Sequence, residues 1–305
     1  MIGPEMAERE VRCLKLIASV LILIAISALA CGPTEAERLK VVGTTTIVGD
    51  VLNAIGGQEI SLAVLLPIGS DPHAYEPVPE DLVAVAGAEL IALNGAGLET
   101  FLEPLLRSSG TKAEVLDLSW GLNLRRLAEG EFDPHLWFDP RNVMDWAERI
   151  AAKLSALDPG NAGLYAARAA SYRAALDELD TWIIEQVGQV PQASRKLVTD
   201  HLAFGYFADR YGFEQVGAIF PGFSTLAEPS ARELAELEEE IRRFGVKAIF
   251  VGTTVNPALA ERVAADTGVR LVFLYIGSLS GPGGPAPSYL ELMRFDVAAI
   301  VAALR

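Results

Sequence analysis

Cysteine, histidine and positive charge are all scarce in this sequence. Its 305 residues include two cysteines, three histidines and 25 lysines and arginines against 40 aspartates and glutamates, for a formal net charge of -15. A chain this acidic is poorly suited to bind a phosphate backbone, and we predict no nucleic-acid partner. Two cysteines cannot form the dense disulfide framework of small secreted domains. An apolar fraction of 51% is enough for a large hydrophobic core.

Residues 1–31 have the features of an export signal rather than of a folded domain. Basic residues precede the uncharged apolar run Leu16–Ala30, and Cys31 follows it, an arrangement that resembles the lipobox of bacterial lipoproteins. We predict that Cys31 is acylated and attaches the protein to the outer side of the membrane, in the periplasm or at the cell surface. Cleavage after Ala30 without acylation, or retention as a signal anchor, is the alternative, because the usual leucine is replaced by Ala28.

From Leu39 onward, short runs of β-branched residues alternate with amphipathic segments, which predicts an α/β fold with parallel sheets. Each half of this region contributes four strands, so we predict two similar lobes. The predicted strands are Leu39–Thr44, Ser61–Leu66, Leu90–Asn94 and Glu114–Leu118, then Lys196–Thr199, Gln215–Ile219, Ala248–Val251 and Arg270–Leu274. The predicted helices are Asp50–Ile55, Glu80–Ala86 and Leu98–Arg107, then Ala203–Tyr211, Ala231–Phe244, Pro257–Thr267 and Ser288–Leu304.

The longest uninterrupted helical pattern lies between the two sets of strands. Asn161–Gln189 has no proline and repeats apolar residues at intervals of three and four. At about 1.5 Å per residue, this helix is on the order of 40 Å long, so we predict a rigid helix that spans both lobes. The predicted boundaries are 1–31 for the signal segment, 39–158 for the N-terminal lobe, 159–190 for the linking helix and 194–305 for the C-terminal lobe.

All three histidines lie where a predicted strand gives way to a loop. His73 follows the second strand, His135 the fourth, and His201 the first strand of the second lobe. Parallel sheets bind ligands outside the carboxyl ends of their strands, so the three imidazoles are predicted to meet in the cleft between the lobes. His73 and His135 each end an Asp-Pro-His triplet, in which proline fixes the backbone and aspartate is placed to accept the second ring N–H.

Three imidazoles from distant parts of a chain indicate a site for a divalent transition metal. We predict that His73, His135 and His201 bind this metal and have no catalytic role. A three-histidine zinc hydrolase is the enzymatic alternative, although the sequence lacks the metalloprotease spacing H-E-x-x-H. A surface lipoprotein that acts as an adhesin or a metal buffer is a third possibility. Beside His201, a group of aromatic residues with helical spacing is predicted to pack in the core: Phe204, Tyr206, Phe207, Tyr211 and Phe213.

Several segments, in one order along the chain, resemble the metal-binding solute-binding proteins of ABC importers for zinc and manganese, the ZnuA-like and TroA-like lipoproteins. The resemblance implies two α/β lobes joined by a long helix, with a metal in the cleft. It also implies a monomer whose partners are a membrane permease and its ATPase, and it makes His73, His135 and His201 the first three metal ligands. The matching segments are Val41–Thr45, Asp71–Pro79, Asn94–Glu99, Asp133–Pro140, His201–Phe213 and Ser278–Arg294.

The resemblance is incomplete at the fourth ligand. The family usually has an aspartate after the last strand, where this chain has Gly277, and often an acidic residue after the preceding strand, where it has Gly252. The histidine-rich loop of many zinc-specific members is also missing, since residues 119–132 contain no histidine. Imidazole suits zinc whereas manganese prefers carboxylate oxygen, so we predict zinc as the cargo, with manganese as the alternative. Water, Glu76 and Asp200 remain candidates for the fourth ligand.

Overall fold

The first lobe is built on a parallel sheet with a helix after each of its strands. A computed structural model describes residues 38–126 and 130–305, so the predicted signal segment and Cys31 lie outside the described residues. The elements of this lobe are β1 (Leu39–Gly43), α1 (Thr46–Gly56), β2 (Ile60–Val64), α2 (Pro79–Gly87), β3 (Leu90–Leu93), α3 (Leu102–Ser109), β4 (Glu114–Asp117) and α4 (Pro140–Leu157).

The second lobe repeats this arrangement after a long helix. Its elements follow α5 (Ala162–Val187) and are β5 (Lys196–Thr199), α6 (Gly205–Tyr211), β6 (Glu214–Ala218), α7 (Ala231–Phe244), β7 (Ala248–Gly252), α8 (Ala258–Thr267), β8 (Arg270–Leu274) and α9 (Tyr289–Leu304). Every predicted strand has its counterpart within two residues at each end. None of the helices in the described ranges has the length and apolar character needed to cross a membrane.

The two sheets share one strand order. In the described part of the chain, each has four parallel strands, ordered β2-β1-β3-β4 in the first lobe and β6-β5-β7-β8 in the second. In each sheet the chain therefore passes from the first strand to the neighbouring strand on one side. It then crosses over and forms the remaining two strands on the other side of the first strand. This reversal opens a crevice at the carboxyl ends of the central strands, where open α/β sheets bind ligands. The predicted fold class, two parallel α/β lobes joined by a long helix, is confirmed.

Helix α4 was not predicted from the sequence. It begins where Asp139 accepts a hydrogen bond from the Arg141 N–H, with Pro140 in the first turn. Both residue types favour a helix start, because aspartate satisfies a free backbone donor and proline needs none. The helix places Trp146 and Ile150 in the core, together with other apolar residues at helical spacing. It directly follows the His135 loop, and its packing in the core anchors that loop.

The long helix α5 contacts both lobes. Arg168 forms an ion pair with Glu59 of the first lobe, and Asp180 accepts a hydrogen bond of 2.7 Å from the hydroxyl of Tyr211 in the second. The buried side of α5 belongs to a hydrophobic cluster that continues through α1, α4, α6 and α9. Packing that runs through both lobes restricts their rotation. The division at 39–158, 159–190 and 194–305 stays a proposal.

Candidate metal centre

The three histidines predicted from the sequence lie together where the two lobes meet. Each offers one ring nitrogen, and these atoms all lie within 4.8 Å of one another. His73 comes from the loop after β2, His135 from the loop between β4 and α4, and His201 from the loop after β5. His135 and His201 are only 1% and 3% exposed, and His73 is partly buried. Within residues 38–126 and 130–305, this is the one group of three or more histidine, cysteine or acidic side chains that could hold a metal ion.

Two of the distances between ring nitrogens are close to those expected around a single metal ion. His135 Nε2 lies 3.3 Å from His73 Nε2 and 2.9 Å from His201 Nε2. A tetrahedral zinc ion with Zn–N bonds of about 2.0–2.1 Å places its ligand nitrogens roughly 3.3 Å apart. His135 is the central member of the group, because its Nε2 is close to both of the others.

Two aspartates determine which nitrogen of each ring faces the centre. His135 Nδ1–H donates to Asp133 Oδ1 at 2.8 Å, and His201 Nδ1–H donates to Asp200 Oδ1 at 2.7 Å. A carboxylate only accepts hydrogen bonds, so it draws the ring proton to Nδ1 and leaves a lone pair on Nε2. Asp200 is itself held by the Gly252 N–H, which donates to its Oδ2 at 2.6 Å.

This arrangement points two lone pairs at each other. The Nε2 atoms of His135 and His201 are 2.9 Å apart, and in the tautomers that the two aspartates favour each carries a lone pair and no proton. Such a contact is unfavourable by itself and becomes favourable when a cation accepts both lone pairs. The chemistry of the site therefore fits a metal ion.

The hydrogen bonds between the aspartates and the histidines differ in part from the prediction. The aspartate of the triplet accepts the ring N–H of His135, as expected. In the other triplet Asp71 behaves differently: its Oδ1 accepts the backbone N–H of His73 at 3.0 Å, and its Oδ2 accepts the hydroxyl of Thr225 at 2.5 Å. Sequence reasoning treated Asp200 only as a possible ligand and missed its contact with the ring beside it. The adjacency of these two residues was the available signal.

Burial keeps His73 and His135 neutral. Loss of water contact lowers the pKa of His73 to about 2, with a smaller effect from the two other imidazoles. It also lowers the pKa of His135 well below 6.5. Burial raises the pKa of Asp133 to about 6, against the opposing effects of the His135 backbone N–H and of Arg125. Neutral imidazole is the form that binds metal, so the lowered pKa values of His73 and His135 favour binding.

Acid is expected to destabilise the metal-free protein through His73. The unfolded residue takes up a proton near pH 6.5 and the folded one only near pH 2. The stability from this residue is therefore complete above pH 6.5 and is lost as the pH falls, because the unfolded state binds the proton first. Relative to His73→Gln, the wild type should lose about 1.4 kcal/mol of unfolding free energy between about pH 7.5 and about pH 5.5. Urea unfolding with a chelator present measures this, and a pH-independent difference contradicts it.

Gly277 occupies the side of the site where the resemblance placed a carboxylate. A Cβ at this position would lie 2.8 Å from Pro72 Cδ, so the loop as it stands has no room for a side chain. Glu76 is exposed, and the oxygens of Asp200 are engaged by His201 and by Gly252. Neither candidate carboxylate belongs to the three-residue group. A cavity of about 10 Å³ borders the histidines here, lined among others by Asp71, Thr225, Thr254 and Gly277.

The segment after β8 joins the lobes next to the histidines. Trp137 Nε1 of the first lobe donates to Ile276 O of the second at 3.1 Å. The Gly69 N–H donates to Ser278 Oγ at 2.8 Å. Together with the bond from Thr225 to Asp71, these contacts hold the cleft closed around the three rings. None of them was predicted from the sequence.

Comparison with known proteins places the chain in a family. A model of the family described as "Zinc-uptake complex component A periplasmic", ZnuA, matches residues 41–303. The chain belongs to that family. The manganese-binding lipoprotein MntA of Halalkalibacterium halodurans is 34% identical over 293 residues, which are 93% of this chain and 97% of MntA. The iron ABC transporter substrate-binding lipoprotein MtsA of Streptococcus pyogenes is 30% identical, over 92% of this chain and 93% of MtsA.

A solved structure agrees with the sequence relatives. The periplasmic zinc-binding protein TroA of Treponema pallidum superposes with a TM-score of 0.83 at 29% identity, over 88% of this chain and 99% of TroA. Members of the ZnuA family are metal-binding solute-binding proteins of ABC transporters, so the chain is not an enzyme. The resemblance inferred from the sequence is confirmed. The names of the relatives give manganese, iron and zinc, and family membership therefore leaves the metal open.

Proposed function

We propose that this ZnuA-family protein captures zinc with His73, His135 and His201 and delivers it to a membrane permease driven by an ATPase. The observation that supports this most is the 2.9 Å approach of His135 Nε2 to His201 Nε2. Asp133 and Asp200 hold the ring protons on the far sides, so both lone pairs face inward. A divalent cation is the ligand that such a pair of rings stabilises.

Zinc is the proposed cargo because of the donor set. The group contains three imidazoles and no carboxylate. Imidazole nitrogen suits zinc, whereas manganese prefers several hard oxygen ligands. The close contact of Gly277 with Pro72 also leaves no room for an aspartate at position 277. Manganese is the alternative, since MntA is named for that metal.

A water molecule is the proposed fourth ligand. The cavity of about 10 Å³ beside the rings has room for about one water. The hydroxyl-bearing residues Thr225 and Thr254 line it and offer hydrogen-bond partners. Asp71 lines it too, but both of its carboxylate oxygens already accept hydrogen bonds. Tetrahedral zinc with three protein ligands commonly keeps water in its fourth position.

We place the protein outside the cytoplasm, attached to the membrane as a monomer through acylated Cys31. MntA and MtsA are named lipoproteins, and the description of the family includes the word periplasmic. The apolar run before Cys31 supports the same location.

Capture and release are proposed to involve a modest movement. The hydrophobic cluster that runs through α5 into both lobes opposes a wide hinge motion. Beside the rings, polar contacts hold the cleft closed, such as Trp137 with Ile276 and Thr225 with Asp71. Breaking and remaking these bonds gives two states that differ in loop position. A permease that binds one state better shifts the equilibrium toward it.

Metal competition tests the proposed cargo. Purified protein is titrated with zinc and with manganese against chelators of known affinity, beside the variant in which all three histidines are alanine. We expect zinc to bind at one ion per chain and at least about 100-fold more tightly than manganese, because nitrogen donors strongly favour metals late in the divalent series. The triple variant should bind neither metal at stoichiometric level.

The outcomes separate the parts of the proposal. Preference for manganese contradicts the choice of metal and leaves the site intact. A full zinc load in the triple variant removes the site. Metal uptake that is unchanged at low zinc after deletion of the gene contradicts delivery to a permease and favours a role as an adhesin or metal buffer.

A further inference from the structure

We propose that Arg125 is a positioning residue that ties the orientation of His135 to the second lobe. This inference rests on the proposed function, because it concerns how a proposed metal ligand is held. It comes from a group of contacts behind the His135 ring that we name the Arg125 bridge. The bridge consists of Arg125 and Asp133 of the first lobe and Gly205, Tyr206 and Asp209 of the second.

The guanidinium of Arg125 lies between two carboxylates. Its Nη1 donates to Asp133 Oδ2 at 2.9 Å, and its Nε donates to Asp209 Oδ2 at 2.7 Å. The Asp133 side chain is fully buried, and its other oxygen accepts the ring N–H of His135. Asp209 lies on α6 in the second lobe. One cation therefore links the carboxylate behind a proposed ligand to a helix across the cleft.

Tyr206 provides a second link at the same place. Its hydroxyl donates to Asp133 O at 3.1 Å and accepts a hydrogen bond from the Arg125 N–H at 3.0 Å. The backbone of both first-lobe residues is thus fixed by one side chain from α6. Because α6 begins shortly after His201, the same segment supplies one proposed ligand and supports another.

The bridge requires a residue without a side chain at position 205. A Cβ on Gly205 would lie 1.3 Å from Arg125 Nη1 and 2.6 Å from Asp133 Oδ2. The φ angle of Gly205 is not among the positive values found in the described chain, so its backbone conformation is one that alanine also adopts. Space for the guanidinium is therefore what this glycine supplies. Alanine here displaces Arg125 and leaves its charge in the protein.

The position of His135 explains why the bridge matters. Its Nε2 lies 3.3 Å from His73 Nε2 and 2.9 Å from His201 Nε2, so a rotation of this ring disturbs both pairs. Loss of an outer contact to a metal-binding histidine typically lowers affinity by about 10–100-fold. Since the bridge also joins the lobes, its loss should speed the opening of the cleft and the release of metal.

The test compares bridge variants with matched controls in the full chain. The bridge variants are Gly205→Ala, Arg125→Gln, Arg125→Lys and Asp209→Asn. Gly163→Ala is the control for the glycine, because a Cβ there meets nothing within 4 Å, and Asp177→Asn replaces an exposed aspartate on α5. Zinc affinity is measured by chelator competition and zinc release by a chelator chase. ¹⁵N-histidine labelling gives spectra of only three imidazoles, since the chain has three histidines.

We expect Gly205→Ala and Arg125→Gln to weaken zinc binding by about 10-fold, the lower end of the usual range for outer contacts. Arg125→Lys should weaken zinc binding less than Arg125→Gln does, because lysine keeps the positive charge. Some loss should remain, since an ammonium group lacks the planar geometry with which the guanidinium donates to two carboxylates. Asp209→Asn should mainly accelerate zinc release, since it removes the link across the cleft and leaves Asp133 paired. The ring signals of His135 should shift in each case.

The results distinguish this inference from the proposed function. Affinity, release and His135 signals that match the controls in both Gly205→Ala and Asp209→Asn overturn the bridge. A wild type that binds no zinc, or a His135→Ala variant that binds it normally, overturns the proposed function instead. If Arg125→Gln does not fold, the glycine and aspartate variants still decide the question, because neither removes the arginine.

Discussion

Replacing His135 with alanine is expected to lower zinc affinity by about two to three orders of magnitude. Structural zinc sites with four ligands gain about 10–16 kcal/mol, so one ligand contributes roughly 2.5–4 kcal/mol. His135 should lie in the upper part of this range, because its Nε2 is within 3.3 Å of His73 Nε2 and 2.9 Å of His201 Nε2. Competition with a zinc chelator measures the change.

Glu76→Ala is the matched control for this variant. Glu76 is exposed and lies in the same loop as His73, but it is outside the three-histidine group. Its removal should leave zinc affinity unchanged. Wild-type affinity in His135→Ala contradicts the site, and a large loss in Glu76→Ala makes that carboxylate a ligand.

Replacing Phe204 with alanine is expected to lower the free energy of unfolding by about 3–5 kcal/mol, the usual range for a buried phenylalanine. Phe204 is 1% exposed, and its ring centroid lies 4.2 Å from that of Phe138 and 5.9 Å from that of Phe207. Phe138 belongs to the first lobe, so the cavity opens at the junction of the two lobes. Urea unfolding of the metal-free protein measures the loss.

Phe273→Ala tests whether burial is the cause. Phe273 is 46% exposed, so the same truncation there removes fewer packing contacts and should cost clearly less. Equal losses in the two variants contradict the role assigned to Phe204. The comparison is made without metal, because zinc bound to the folded state adds its own stabilisation.

The strands were predictable because their signal is local. Runs such as Lys196–Thr199 and Arg270–Leu274 combine β-branched residues with flanking turn residues, and both were found at the predicted positions. The start of α1 was wrong: the prediction placed it at Asp50, but the helix begins at Thr46. Gly49 lies in the first turn of this helix, and glycine has a low helix propensity. The structure needs glycine there, because a Cβ would lie 2.5 Å from Val64 Cγ2, and tertiary packing outweighs the low helix propensity.

Only the three proposed metal ligands of the candidate site could be predicted from the sequence. The three histidines stood out because they are rare and follow strands that end at one edge of their sheets. The residues behind them gave no such signal. Arg125 and Tyr206 are 81 residues apart in the chain, and no spacing relates them. Thr225 likewise reaches Asp71 from the other lobe, a contact that depends on how the lobes pack.

The hydrophobic cluster shared by α1, α4, α5, α6 and α9 has a consequence for local fluctuations. A lobe that opened alone would expose its half of this cluster to water while the other half stayed folded, at a free-energy cost close to that of complete unfolding. Core amides of β1 and β5, one from each lobe, should therefore exchange hydrogen for deuterium at the same, slowest rate. We therefore expect the two sheets to unfold as a single cooperative unit.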